Sequence, residues 1–232
     1  MFVDIPSVQI RGYRSATEIN QAMGRVYNYM FLAVAVSMIV SLAVASSAAA
    51  MALFFGPVTK WITMFAPLLF VFLVPIAINS GIPREGAIAL LLAFAGVMGL
   101  SLSAIMAVFT GMSVVTAFLG AAVLFGTMSL YGYFTKRSLD SMGKYLLIGL
   151  IAIIIASIIN IFIGSSLMQM IISAVAIVLF MALTAYDTQQ IREQLSYMDE
   201  NHRAEIIGAL SLYLNFINIF TSLLQLTGSR NE

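Results

Sequence analysis

The sequence predicts an all-α integral membrane protein with seven transmembrane helices. Two features of composition and one of charge placement predict it. Of the 232 residues, 61% are hydrophobic and only 9% are charged, with a mean hydropathy of +1.01; soluble domains carry about 25% charged residues. The eleven basic and ten acidic residues leave five long uncharged runs, Val26 to Thr59, Trp61 to Pro83, Gly86 to Thr135, Tyr145 to Tyr186 and Ile206 to Ser229, of 34, 23, 50, 42 and 24 residues. A helix that crosses a bilayer needs about 20 such residues. A transmembrane barrel would instead alternate polarity in segments of about ten residues, and no run does so.

Taken in order, the runs give one helix, one, two, two and one. The first run is a single span plus a tail, because Ser46, Ser47 and the Gly56-Pro57 pair interrupt its second half. Its basic start and small residues Ser46 to Ala50 faintly resemble a secretory signal, but the acids Asp4 and Glu18 and the length of the apolar stretch favour an uncleaved helix. The second span holds Pro67 and Pro75, each of which removes a backbone hydrogen bond and predicts a bend. The run of 50 divides at Thr110-Gly111-Met112-Ser113 and the run of 42 at Gly164-Ser165-Ser166. In the third span Ala95, Gly99, Ser103, Ala107 and Gly111 recur every four residues, a stripe that predicts close helix contact. The fifth carries Ser157, Asn160 and Gly164 on one face, either a hydrogen-bonded contact or a cavity wall. The predicted organisation is an N-terminal cytoplasmic segment, residues 1–24, and a seven-helix domain, residues 25–229.

Orientation follows from the basic residues. Arg11, Arg14, Arg25, Arg84, Lys136, Arg137, Lys144, Arg192 and Arg203 fall on one side of a seven-span topology, and only Lys60 and Arg230 on the other. This asymmetry predicts a cytoplasmic N-terminus, an external C-terminus and residence in the cell (inner) membrane. Trp61, Tyr131 and Tyr133 stand where interfacial aromatics anchor helix ends. No basic patch is dense enough for nucleic acid, and the net charge is +1. With no cysteine, thiolate metal sites and disulfides are excluded.

The last two spans carry the functional signal. Gly208, Ser211, Asn215, Asn218, Ser222 and Gln225 recur at alternating steps of three and four along an otherwise apolar helix. Such a seam must face protein or water, because an unsatisfied amide in hydrocarbon costs several kcal/mol; plain interhelical hydrogen bonding competes with a cavity-lining role. Asp187 is the one charge expected inside the bundle, the other twenty fitting loops, tails or helix ends. An aspartate within a span costs about 2.5–3.5 kcal/mol, which predicts that it faces the interior and acts on protons or cations. The short connection between the last two spans makes Asp187 and Asn215 a facing pair. The only histidine, His202, lies among Asp199, Glu200, Arg203 and Glu205, a solvated setting, and no nucleophile with a base, phosphate loop or metal-ligand cluster indicates an enzyme or a bound cofactor.

The segments MSLYGYFTKRSL (Met128 to Leu139), LTAYDTQQI (Leu183 to Ile191) and GALSLYLNFINIFTSLLQL (Gly208 to Leu226) resemble the bacterial branch of the Bax inhibitor-1, or transmembrane Bax-inhibitor-motif, family. The resemblance implies six helices around a central seventh, and a pH-sensitive calcium leak governed by two facing acids on the last two helices. Asp187 matches the first acid, and Asn215 stands where the family has the second. Two close carboxylates can share a proton and so switch with pH. An Asp–Asn pair cannot; it holds a hydrogen bond and offers a cation one charge fewer, which predicts weak calcium binding at Asp187. Arg84 is the nearest match to a basic latch of the closed state. The function implied is a calcium or general cation leak channel or transporter, with Asp187, Asn215, Asn218, Ser211 and Ser222 on its pathway. The alternative is a non-conducting protein that regulates membrane partners such as proteases.

Overall fold

A computed structural model describes residues 14–197 and 202–231; Asp4, Arg11, Asp199 and Glu200, named above, lie outside them. Eight helices follow one another: α1 (Ala16–Ala45), α2 (Ala48–Phe54), α3 (Thr59–Asn79), α4 (Arg84–Val108), α5 (Gly111–Phe134), α6 (Asp140–Ile163), α7 (Ser166–Tyr197) and α8 (His202–Thr227). All but the seven-residue α2 are long and apolar enough to cross a membrane. The turns fall where the sequence placed them, with Gly164 at φ 68° closing α6 in a left-handed conformation suited to glycine.

Two boundaries differ from the sequence reading. Helix α1 begins nine residues before Arg25, because Ser15 and Glu18 form a reciprocal capping box that satisfies the first-turn amides. The tail after the first span includes α2, capped by Ser47. Helix α3 remains helical through Pro67 and Pro75.

Helix α8 occupies the centre. Over its most apolar window 67% of its residues are buried, against at most 33% in any other span. It packs against α1, α3, α4, α5 and α7, while α6 lies outside against α7 and buries only Leu146 and Asn160. Large side chains of α6 such as Ile148, Ile161 and Phe162 point outward, as a lipid-facing helix requires.

The small-residue stripe works over half of its predicted length. Ala95 and Ser103 are fully buried, and a Cβ on Gly99 would lie 2.7 Å from the Ser37 carbonyl oxygen, so α4 and α1 meet backbone to backbone. Beyond Ser103 the stripe ends: Ala107 is exposed and Gly111 opens α5. At this junction Tyr213 of α8, fully buried, shares a 2.6 Å hydrogen bond with Ser37, whose hydroxyl also lies 2.8 Å from the Ala95 carbonyl. Asn160 resolves the two readings of the fifth span: it donates to Gln169 and accepts from the Ser165 amide, a hydrogen-bonded contact.

Candidate functional site

Helix α7 does not end at Asp187 but continues ten residues beyond it. Good helix formers occupy Gln189 to Leu195, and Thr184, Thr188, Ile191 and Leu195 recur at spacings of four, three and four as a buried face. This periodicity carries Asp187 inward instead of releasing it into a loop. Helix α8 approaches antiparallel, and Asn215, 5% exposed, donates from Nδ2 to Asp187 Oδ2 at 2.8 Å. The two residues expected to face each other do so.

A chain of hydroxyls braces α7 beside this pair. The Tyr27 hydroxyl of α1 lies 2.7 Å from Ser129 of α5, which lies 3.2 Å from Thr188. One turn along α5, Gly132 sits directly on the Ala185 carbonyl, leaving no room for a side chain. The wall behind Asp187 is therefore built by backbone contact and hydroxyls, both of short reach.

The rest of the seam divides. Asn218 turns back onto its own helix, donating to the Leu214 carbonyl at 2.8 Å, and Ser222 is buried while Ser211 is partly so. Gln225 reaches α7, accepting hydrogen bonds from Gln169 and, at 3.3 Å, from Ser173. With Asn160 these residues make a second amide cluster at the opposite end of the α7–α8 contact. No group of three or more metal-ligating side chains is assembled among the described residues.

Arg84 is placed elsewhere than beside Asp187. Its guanidinium, at the start of α4, donates to the Tyr29 hydroxyl at 2.8 Å and pairs with Glu205 at 3.2 Å. Glu205 is the charged residue that the sequence reading did not place inside. It stands in the first turn of α8, as a helix-end charge should, yet is only 3% exposed. Arg25 of α1 grips it from Nε at 3.0 Å to both oxygens and from Nη2 at 2.6 Å. Nothing in the neighbourhood of Glu205 in the chain announces this, because its partners are 180 and 121 residues away. Of the aromatic anchors, Trp61 has its neighbour Lys60 5.3 Å from its ring, and Tyr133 has Arg192 of α7 at 4.9 Å.

Seven long apolar helices, the last of them central and polar along one side, with an acid of the neighbouring helix bonded to it, make this a multi-pass integral membrane protein with an ionisable group in its interior. The family model described as inhibitor of apoptosis-promoting Bax1 matches residues 19–232. The chain is 38% identical over 216 residues to an uncharacterised protein of Rickettsia prowazekii, covering 90% of each, and 35% identical over 213 residues to the inner membrane protein YbhL of Escherichia coli, covering 90% of this chain and 91% of that one. It is also 33% identical over 218 residues to an uncharacterised protein of Borreliella burgdorferi, covering 92% and 94%. This chain belongs to the Bax inhibitor-1 family.

Proposed function

We propose that the protein is a cation leak channel or transporter of the inner membrane, with calcium among its permeant ions and Asp187 as the residue that attracts or gates them. One observation carries the reading: a partly buried aspartate within the span of α7 has an amide, not a cation, as its hydrogen-bond partner. An acid in that position is costly, and such residues mark ion or proton pathways. Asn215 leaves its charge in place, so a passing cation can replace the amide as partner. Calcium is held weakly there, since it prefers six to eight oxygens and several charges, and weak holding suits conduction, in which each ion must also leave. Asn218 and Ser222 continue the polar side of α8 beyond Asp187. The protein acts in this reading without catalysis or a bound cofactor.

The excess of basic residues at the end bearing Arg25, Arg84 and Arg192 supports an N-terminus in the cytoplasm, and the name of the Escherichia coli relative supports the inner membrane. Full-length protein in liposomes loaded with a calcium-sensitive dye tests the proposal. Calcium entry is expected to exceed that of empty liposomes and to fall several-fold in Asp187→Asn. Equal entry in wild type and variant removes Asp187 from the mechanism. Equal entry in protein-containing and empty liposomes rejects conduction altogether, and a partner recovered by crosslinking in membranes then marks a regulatory protein.

A further inference from the structure

The end of the bundle opposite the Glu205 cluster holds an open apolar groove of about 500 Å³, within the size range of small-ligand sites. Met38, Leu42 and Ala45 of α1 form one wall, Met106 the floor on α4, and Val115 and Leu119 of α5 the other wall, with Phe109 at the mouth. From Met38 to Ala45 the groove runs along eight residues of α1, or about 12 Å of helix, so it descends from the helix ends into the depth of the hydrocarbon. Leu42, Val115 and Leu119 are more than half exposed, and at membrane depth this exposure is to lipid tails.

The last described residues pack against Phe109, one of the residues that line the groove. Residues 228–231 run antiparallel to the α4–α5 turn: the Thr110 amide donates to Ser229 O at 3.0 Å, the Asn231 amide to Val108 O at 2.9 Å, and the Ser229 amide to Ser113 Oγ at 2.9 Å. This strap sets the Arg230 guanidinium 5.9 Å from the ring of Phe109, which lines the groove. Among the described residues this end carries Lys60 and Arg230 and no acid, Glu18, Glu85, Asp140, Glu193 and Glu205 lying toward the other end; Glu232, two residues after Arg230 in the sequence, lies outside the described residues. A cation held at the interface above an apolar slot complements an anionic headgroup with its acyl chain below it.

We propose that this groove is a binding site for one anionic phospholipid, its acyl chain between α1, α4 and α5 and its phosphate at Arg230. The site is separate from the Asp187 pathway, and its test does not depend on conduction. Full-length protein is reconstituted in vesicles of equal parts phosphatidylglycerol and phosphatidylcholine, extracted in mild detergent, and the retained phospholipid is identified by native mass spectrometry. Wild type is expected to retain one molecule with a preference for phosphatidylglycerol of roughly five-fold, the worth of one basic group at a membrane surface. Arg230→Gln, on an exposed tail residue and so without a folding penalty, is expected to keep one lipid and lose the preference. Ala45→Trp is expected to fill the slot and lower retention of either lipid, while Arg137→Gln at the opposite end changes nothing. Undiminished preference in Arg230→Gln, or wild-type retention in a folded Ala45→Trp, overturns the assignment.

Discussion

The carboxylate of Glu205 lies 2.6 Å from the guanidinium of Arg25 although 180 residues separate them. Because Arg84 meets the same carboxylate from α4, one acid joins the first, fourth and last helices. Its burial makes it dependent on both partners, whereas the two arginine side chains, 39% and 41% exposed, can turn to water. Loss of Arg25 is therefore worse than loss of the acid, because it strands a buried carboxylate. Arg25→Gln is expected to lower stability by about 1–3 kcal/mol, the cost of leaving a buried charged group short of its partner, and Glu205→Gln by less. Thermal unfolding in detergent compares them, and the Arg25→Gln/Glu205→Gln pair is expected to cost less than the sum of its parts.

The Asp187–Asn215 pair predicts a shallow pH response. Only one member titrates, so no proton is shared between the two helices. Asn215→Asp is expected to make calcium flux into liposomes vary more steeply with pH than in wild type, through two carboxylates competing for one proton. Indistinguishable pH profiles would show that the pair does not act as a switch.

Gly132 predicts a sharp size limit in the wall behind Asp187. A Cβ there would overlap the Ala185 backbone, which cannot swing aside as a side chain can. Gly132→Ala is expected to push α5 from α7, loosen the Ser129–Thr188 contact and cost about 1–3 kcal/mol as overpacking. Gly126, six residues earlier on α5 with open space around it, is the control: Gly126→Ala is expected to leave the unfolding temperature in detergent unchanged or raised.

Tyr213 predicts a modest loss. Tyr213→Phe removes a buried hydroxyl, but Ser37 keeps the carbonyls of Ala33 and Ala95 as acceptors. The expected cost is about 0.5–1.5 kcal/mol, typical of hydrogen bonds between membrane helices, read by the same unfolding assay. A loss well above that range would mean that the hydroxyl also orders the ring against Phe94, which it meets edge-on at 5.9 Å.

The fold was legible because hydrocarbon imposes one strong rule, that charge be kept out over a fixed length. Uncharged runs and their turn signals thus located every span. The Asp187–Asn215 pair was legible for a related reason, since a polar residue in such a run must find a partner and the short α7–α8 connection supplies the neighbour. Glu205 was not legible, because a charge at the edge of a run obeys the rule whether it points to water or inward, and only the packing of α1 and α4 decides. The same holds for Arg84, whose position at a helix start is compatible with several acids at that end. The stripe from Ala95 to Gly111 was over-read because spacing continues across a helix terminus while geometry does not.

The strap at residues 228–231 bears on how the molecule can move. Helix α8 is anchored at its first turn by Arg25 and Arg84 and at its last by the pairing of Ser229 and Asn231 with the α4–α5 turn. A helix moored at both ends cannot slide along its axis like a piston without breaking one mooring or the other. It serves as a fixed spindle. Among the helices around it α6, which packs chiefly against α7, is the least encumbered.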